Sequence, residues 1–105
     1  MTNAEAVLAV KFKSKHDDGK LMTICEEDVE IFRGVQGLIQ KFYVTEESTG
    51  AISGIYLFES KSSLTAFLGS ELAGNIPARY GVIPDTLRIE QYDMALVLND
   101  SFFTI

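Results

Sequence analysis

Within the stretch from Ala51 to Leu72 the chain changes its hydrophobic period at a single residue. The run Ala51-Ile-Ser-Gly-Ile-Tyr-Leu-Phe-Glu59 is rich in β-branched and aromatic side chains, whereas Leu64, Phe67, Leu68 and Leu72 recur at i, i+3, i+4 and i+8, the spacing of one helix face. A strand must therefore run directly into a helix. Ser60 stands at the change of period, where its hydroxyl can accept a hydrogen bond from a backbone N–H of the first helical turn, which makes it the expected N-cap.

The remaining elements fall around this junction. Residues 6–13 alternate as a first strand, with Leu8, Val10 and Phe12 on one face, and a polar turn of His, Asp and Gly follows. Leu21, Ile24, Cys25, Val29 and Phe32 then form a helical stripe, with Glu26, Glu27, Asp28 and Glu30 on the other faces and Gly34 just past the end as C-cap. A start at Thr23, with Glu26 three residues on, is the alternative for this helix, a capping-box spacing. Gly37–Thr45 reads as a second strand joined by the turn 46–50 to the third, a hairpin. Pro77 is expected to begin a short helical turn ended by Gly81, and a fourth strand lies within 86–98, bent or broken near Asp93. Strand, helix, strand, strand, helix, strand is the split β-α-β order of an α+β ferredoxin-like fold, a four-stranded antiparallel sheet with both helices on one face. The 105 residues suit a single domain over 1–105.

Charge narrows the partners. Nine basic and fifteen acidic side chains give a formal charge of −6, which repels phosphate backbones unless the basic residues cluster. Lys11, Lys13 and Lys15 alternate along one segment, but Asp17 and Asp18 follow at once, so no nucleic-acid partner is expected. The longest apolar runs are too short to span a bilayer, and the first residues have neither the basic start nor the apolar stretch of a leader. No membrane association and a cytoplasmic location are expected. Cys25 is the sole cysteine, which removes a disulfide and a cysteine-based metal cage; no metal site and no cofactor motif are found.

A one-layer sheet should alternate apolar and polar residues, because only one face meets the helices. The hairpin does not: Ile39, Tyr43, Ile55 and Leu57 share one face, and Leu38, Phe42, Val44, Ile52, Tyr56 and Phe58 the other. A second copy packed face to face is the simplest cover, so a homodimer is expected. The C-terminal pair Phe102-Phe103 is expected to dock on its own domain or a neighbour's.

Several of these runs resemble a known family. Gly37-Leu-Ile-Gln-Lys-Phe-Tyr43, the turn Glu46-Glu-Ser-Thr-Gly50, Ser53-Gly-Ile-Tyr-Leu-Phe-Glu-Ser60 and Ala78-Arg-Tyr-Gly81 are similar to the YdhR-like monooxygenases of the dimeric α+β barrel superfamily, over about residues 34 to 81. The resemblance implies a homodimer whose two sheets close a barrel, with an apolar cavity between sheet and helices in each protomer. Relatives in the superfamily oxidise phenolic polyketides to quinones with molecular oxygen and neither metal nor flavin. By that implication the chain is a cofactor-independent monooxygenase acting on an aromatic or polyketide-like small molecule; the alternative is a non-enzymatic small-molecule binding protein on the same scaffold. The sequence departs from the pattern at Gln36, where proline is usual, and in having no tryptophan. No catalytic residue is therefore carried over by position.

Candidate groups come from the residues themselves. His16 is the one side chain whose ordinary pKa lies near neutrality, a natural general base, although a solvated loop histidine accounts for it as simply. Lys41 lies among apolar strand residues. Burial would lower its pKa and suit it to act as base or anion partner, unless it snorkels at the rim or pairs with Glu59. A hairpin in which Thr45 opposes Ala51 pairs Val44 with Ile52, Phe42 with Gly54, Gln40 with Tyr56 and Leu38 with Phe58. That register places Gln40 and Tyr56 together on the helix side, beside the gap at Gly54. Tyr56 joins His16 and Lys41 as a catalytic candidate, and Gln40, Tyr43, Gly54, Phe58 and Tyr80 are the expected contacts of an apolar or aromatic ligand. If Gln40 and Tyr56 do not share a cavity, the role passes to Lys41 and Tyr43.

Overall fold

A computed structural model describes residues 4–99, so the Phe102-Phe103 pair lies outside the described residues. The strands are β1 (Ala6–Phe12), β2 (Leu38–Thr45), β3 (Ile52–Phe58) and β4 (Arg88–Asp93), in one antiparallel sheet of order β2-β3-β1-β4. The helices are α1 (Asp18–Glu27), α2 (Val29–Arg33), α3 (Lys61–Leu68) and α4 (Glu71–Arg79). The split β-α-β arrangement expected from the sequence is the arrangement observed. Among the described residues no helix is long and apolar enough to cross a membrane.

The core is built from one sheet face. Leu8, Val10 and Phe12 of β1 and Ile52, Tyr56 and Phe58 of β3 point to the helices, where they meet Leu21, Ile24, Cys25, Phe32, Leu64 and Phe67. Leu8 and Phe58 are fully buried. The Tyr56, Phe58 and Phe67 rings form a mutual cluster with centroids 5.1 to 6.2 Å apart, within the range in which aromatic pairs add to simple burial.

The junction on which the chain turns is capped as its sequence implies. The Ser60 hydroxyl accepts from the Ser63 N–H at 3.1 Å. The first helical segment starts earlier than its apolar stripe, because Asp17 accepts from the Lys20 N–H at 2.8 Å; the alternative start at Thr23 is not used. That segment is also two helices rather than one, interrupted at Asp28. The second expected helix likewise divides: α3 stops before Gly69, and Ser70 caps a new helix by accepting from the Ala73 N–H. Pro77 therefore lies inside α4 rather than at the start of a turn. Its missing N–H costs the helix one hydrogen bond near its C-terminal end, where the ladder is about to end anyway.

The hairpin register departs from expectation. Leu38 opposes Phe58 as foreseen, but an irregularity between Leu38 and Gln40 inserts Ile39 as an extra residue, after which Gln40 opposes Leu57, Lys41 opposes Tyr56, Tyr43 opposes Gly54 and Thr45 opposes Ile52. The turn is correspondingly wider, closed by the Glu46 N–H on the Ala51 carbonyl at 2.8 Å. Because side chains alternate along a strand, the bulge exchanges the two faces of β2. Gln40 moves off the helix side, and Lys41 and Tyr43 move onto it.

Gly37 anchors the entry to that bulge. Its φ is +80°, and a Cβ there would lie 2.2 Å from the Ser63 hydroxyl oxygen. We predict that Gly37→Ala destabilises the fold by more than about 1 kcal/mol, since a left-handed conformation and a steric clash add. Urea denaturation would read this as a lower midpoint, and an unchanged midpoint would contradict it.

Candidate active site

Lys41 is the chemical centre of the helix-side face. Its ammonium nitrogen stands 3.3 Å from the centroid of the Phe32 ring, 4.3 Å from Tyr43 and 4.5 Å from Tyr56. Three elements build this box: α2 supplies Phe32, β2 supplies Lys41 and Tyr43, and β3 supplies Tyr56. No salt bridge or side-chain hydrogen bond of the Lys41 amine is formed among the described residues. In particular it does not pair with Glu59. Burial among rings penalises the charged form, and this desolvation brings the Lys41 pKa down to about 7, opposed by Cys25 and Asp28.

The amine stands between two spaces. An outer pocket of about 150 Å³ is lined by Val29, Phe32, Leu38, Ile39, Lys41 and Tyr43, among others. An inner space of about 10 Å³, bounded by Lys41, Tyr43, Gly54, Tyr56 and Tyr80 with the apolar ends of β1 and α4, is close to the minimum for a single water. Gly54 keeps the inner space open: a Cβ there would come within 3.0 Å of the Tyr56 ring and 3.2 Å of the Lys41 ε-carbon.

A second polar group lies behind the aromatic wall. Asp28, only 2% exposed, accepts from Arg79 Nε at 2.9 and 3.1 Å and from an Arg79 terminal nitrogen at 2.8 Å. It also accepts from the Tyr80 hydroxyl at 2.9 Å. The Arg79 hydrogen bonds hold the Asp28 carboxyl below its ordinary range, against the opposing effect of burial. Tyr80 is raised, first by desolvation. The Tyr43 hydroxyl is buried and makes no hydrogen bond of ordinary geometry among the described residues. Desolvation pushes its pKa up to about 12, with the nearby Tyr80 hydroxyl acting in the opposite sense. Tyr43 therefore remains a protonated donor throughout the neutral range.

The sequence-derived candidates are distributed unevenly around this centre. Lys41, Tyr43, Tyr56, Gly54 and Tyr80 are brought together around the two spaces. Gln40 is separated from Tyr56 by the bulge; its side-chain oxygen accepts from the Lys41 backbone N–H at 2.9 Å, and it lines the outer pocket but not the inner space. Phe58 is fully buried behind Tyr56, stacked on it at 6.2 Å, and lines neither space. His16 lines neither space. Its ring packs against Gly81, with Nε2 3.2 Å from the Arg79 carbonyl oxygen, beside a shallow groove shared with Lys20 and Glu27.

Phe32 and Asp28 were missed as site residues. Asp28 was read as part of the acidic outer face, yet Leu21, Cys25, Asp28 and Phe32 are spaced by four, three and four residues, which is one helix stripe. A carboxylate on that stripe was the available signal. No group of His, Cys, Asp or Glu that could hold a metal ion occurs among the described residues.

The sequence profile of the family described as putative mono-oxygenase ydhR matches residues 7–92. The chain belongs to this family. No curated protein matches it in sequence. In fold it is similar to NE2512, a Nitrosomonas europaea protein of unknown function, with a TM-score of 0.76 and 13% identity over 96% of this chain and 99% of that one. It is also similar to the ActVA-Orf6 monooxygenase of Streptomyces coelicolor, solved with nanaomycin D, with a TM-score of 0.67 and 15% identity over 93% and 94% of the two chains. SnoaB, a cofactor-independent oxygenase of Streptomyces nogalater, gives a TM-score of 0.65 and 8% identity over 92% and 97%. At these identities the likeness is one of fold, and monooxygenase-like character comes from the family.

A buried amine that loses its proton near neutrality leaves a signature in stability. The unfolded chain holds a proton on Lys41 up to its ordinary value of 10.5, whereas the folded chain releases it at about 7, so this group makes stability rise with pH between those values. Below about pH 7 both states are protonated and the full cost of burial is felt. Lys41→Met should therefore stabilise the protein at pH 6, by on the order of a few kcal/mol, and the advantage should shrink as pH rises toward 10. Paired denaturation curves at several pH values test this, and a pH-independent difference would contradict it.

Proposed function

We propose that the protein is a cofactor-independent monooxygenase acting on an electron-rich phenol, with Lys41 as general base. The observation that carries this reading is the Lys41 amine inside three aromatic rings with no carboxylate partner among the described residues, opening on a pocket of about 150 Å³. A cavity of that size accepts one six-membered ring. Family membership supplies the reaction class.

The chemistry follows from proton and electron bookkeeping. The neutral amine takes the phenolic proton, giving a phenolate and an ammonium whose opposite charges pair in the pocket, with attraction to the ring faces offsetting part of the desolvation that burial imposes on the cation. A phenolate gives up one electron far more readily than a phenol. Dioxygen accepts that electron, and the aryloxyl radical and superoxide combine into a C–O bond. The peroxide anion takes back the proton from Lys41, and loss of water leaves a quinone. One phenol and one dioxygen thus give one quinone and one water. Tyr43 and Tyr56, the latter also raised by desolvation, stay protonated and orient the ring rather than compete for its proton.

Oxygen uptake by metal-stripped protein against a panel of hydroquinones and anthrones tests the reading. Uptake above a protein-free control is expected, and Lys41→Met should lower it by about 10²-fold or more, the usual cost of removing a general base. No uptake across the panel would overturn it. A ligand retained through purification and unchanged by aerobic incubation would favour the binding-protein alternative.

We also propose that the working form is a homodimer closed through the outer sheet face. Cross-strand rows there place Phe42 beside Ile55 and Ala9, and Tyr92 beside Val7. Phe42, Val44 and Tyr92 are 43 to 50% exposed, an apolar surface that a monomer would leave in water. Sedimentation equilibrium at micromolar concentration should give twice the 11.6 kDa of the chain. Phe42→Glu should shift the mass toward one chain, and a wild-type monomer would contradict the proposal.

A further inference from the structure

A primary amine with a free electron pair is a nucleophile as well as a base, and the environment of Lys41 is unlike that of the five other lysines. Lys11 is paired with Glu46 at 2.5 Å and Lys61 lies 3.7 Å from Asp93, while Lys13, Lys15 and Lys20 are exposed. Those amines are hydrated or paired. The ionisable groups that bear on Lys41 are Cys25 of α1 and Asp28 at the break between α1 and α2. Burial raises the Cys25 thiol and keeps it uncharged. Asp28 is committed to Arg79 and Tyr80. Neither group closes an ion pair on the amine.

We propose that Lys41 captures aromatic aldehydes as a covalent imine. The inference rests on the reading of Lys41 as the working amine of the pocket. In the step, the Lys41 nitrogen attacks the carbonyl carbon to form a C–N bond while the carbonyl oxygen takes up a proton, giving a carbinolamine. The C–O bond then breaks as the oxygen takes a proton from the Tyr43 hydroxyl and leaves as water, the nitrogen lone pair completes the C=N bond, and the remaining N–H proton returns to the Tyr43 oxygen. One aldehyde and one amine give one imine and one water, with no oxidant or reductant consumed.

Three features of the site favour this outcome. Departure of the carbinolamine oxygen needs a proton donor, and the Tyr43 hydroxyl, protonated and without a hydrogen-bond partner among the described residues, belongs to the ring whose centroid lies 4.3 Å from the amine. A protonated imine is a cation, and the Phe32, Tyr43 and Tyr56 faces that surround the nitrogen stabilise one. The outer pocket is of benzene size and walled by Phe32, Val29 and Leu38, so a single aromatic ring is held where an open-chain aldehyde gains less.

The test is reductive trapping under nitrogen. The protein is incubated at pH 7 with 4-hydroxybenzaldehyde and sodium cyanoborohydride, digested, and mapped by mass spectrometry. Lys41 should be alkylated at least about tenfold faster than Lys13 or Lys20, since burial lowers its pKa to about 7 and leaves a large fraction of its amine neutral at that pH. Hexanal should label it more slowly, and Tyr43→Phe should slow labelling at Lys41 while leaving the surface lysines unchanged. Labelling of Lys41 at the rate of Lys13, or only in denaturant, would overturn the proposal. Since the reaction excludes oxygen, its success is independent of oxygenase turnover, and oxygen uptake without labelling would overturn imine capture alone.

Discussion

The extra residue Ile39 in β2 decides which side chains meet the helices. Counted from the Leu38–Phe58 pair, a regular ladder would aim Gln40 and Phe42 at the core and leave Lys41 and Tyr43 on the open face. With the bulge, Lys41 takes the place of Gln40 opposite Tyr56 and Tyr43 that of Phe42 opposite Gly54, so that an amine and a phenol replace an amide and a plain ring on the buried side, a costly exchange by hydrophobic accounting alone. It is held by the left-handed Gly37, whose carbonyl accepts from the Glu59 N–H at 2.8 Å, and by the Leu38 N–H on the Val35 carbonyl. Bulges of this kind commonly re-aim a side chain into a site. Here the re-aimed chain is the amine.

Separation of the two buried polar centres matters as much as the bulge. Were Asp28 free, it would be the natural counterion for Lys41, and an ion pair would keep the amine protonated and chemically inert. Arg79 from α4 and Tyr80 at its cap take up the carboxylate instead. The same contacts tie the break between α1 and α2 to the end of α4. One polar cluster thus joins the helices and takes up the carboxylate, while burial among the rings lowers the pKa of the amine, which links the fold to the chemistry proposed for it.

Much of this architecture was legible in the residues. The change of period at Ser60, the alternation of β1 and the order of elements led directly to the observed sheet. Elements ending in a polar break were not: Asp28 and Gly69 each divide a segment whose apolar spacing reads as continuous, and the cap that begins α4 lies in a serine seven residues before the proline that drew attention. The hairpin shows the limit most clearly. Periodicity determines which residues share a face only while the count is regular, and both faces of β2 carry enough apolar residues to suit either register. Lys41 was visible as an anomaly among apolar neighbours, but its aromatic partners came from α2 and β3, and Phe32 in particular had read simply as a core residue.

The Lys41 amine, buried among rings and without a counterion among the described residues, loses its proton near neutrality, so that a large fraction of it is neutral at physiological pH. Direct titration of the Lys41 ε-carbon by NMR, assigned through Lys41→Arg, measures this with no assumption about substrate. A midpoint at about 7 is predicted; a midpoint near the ordinary lysine value of about 10.4 would contradict the account.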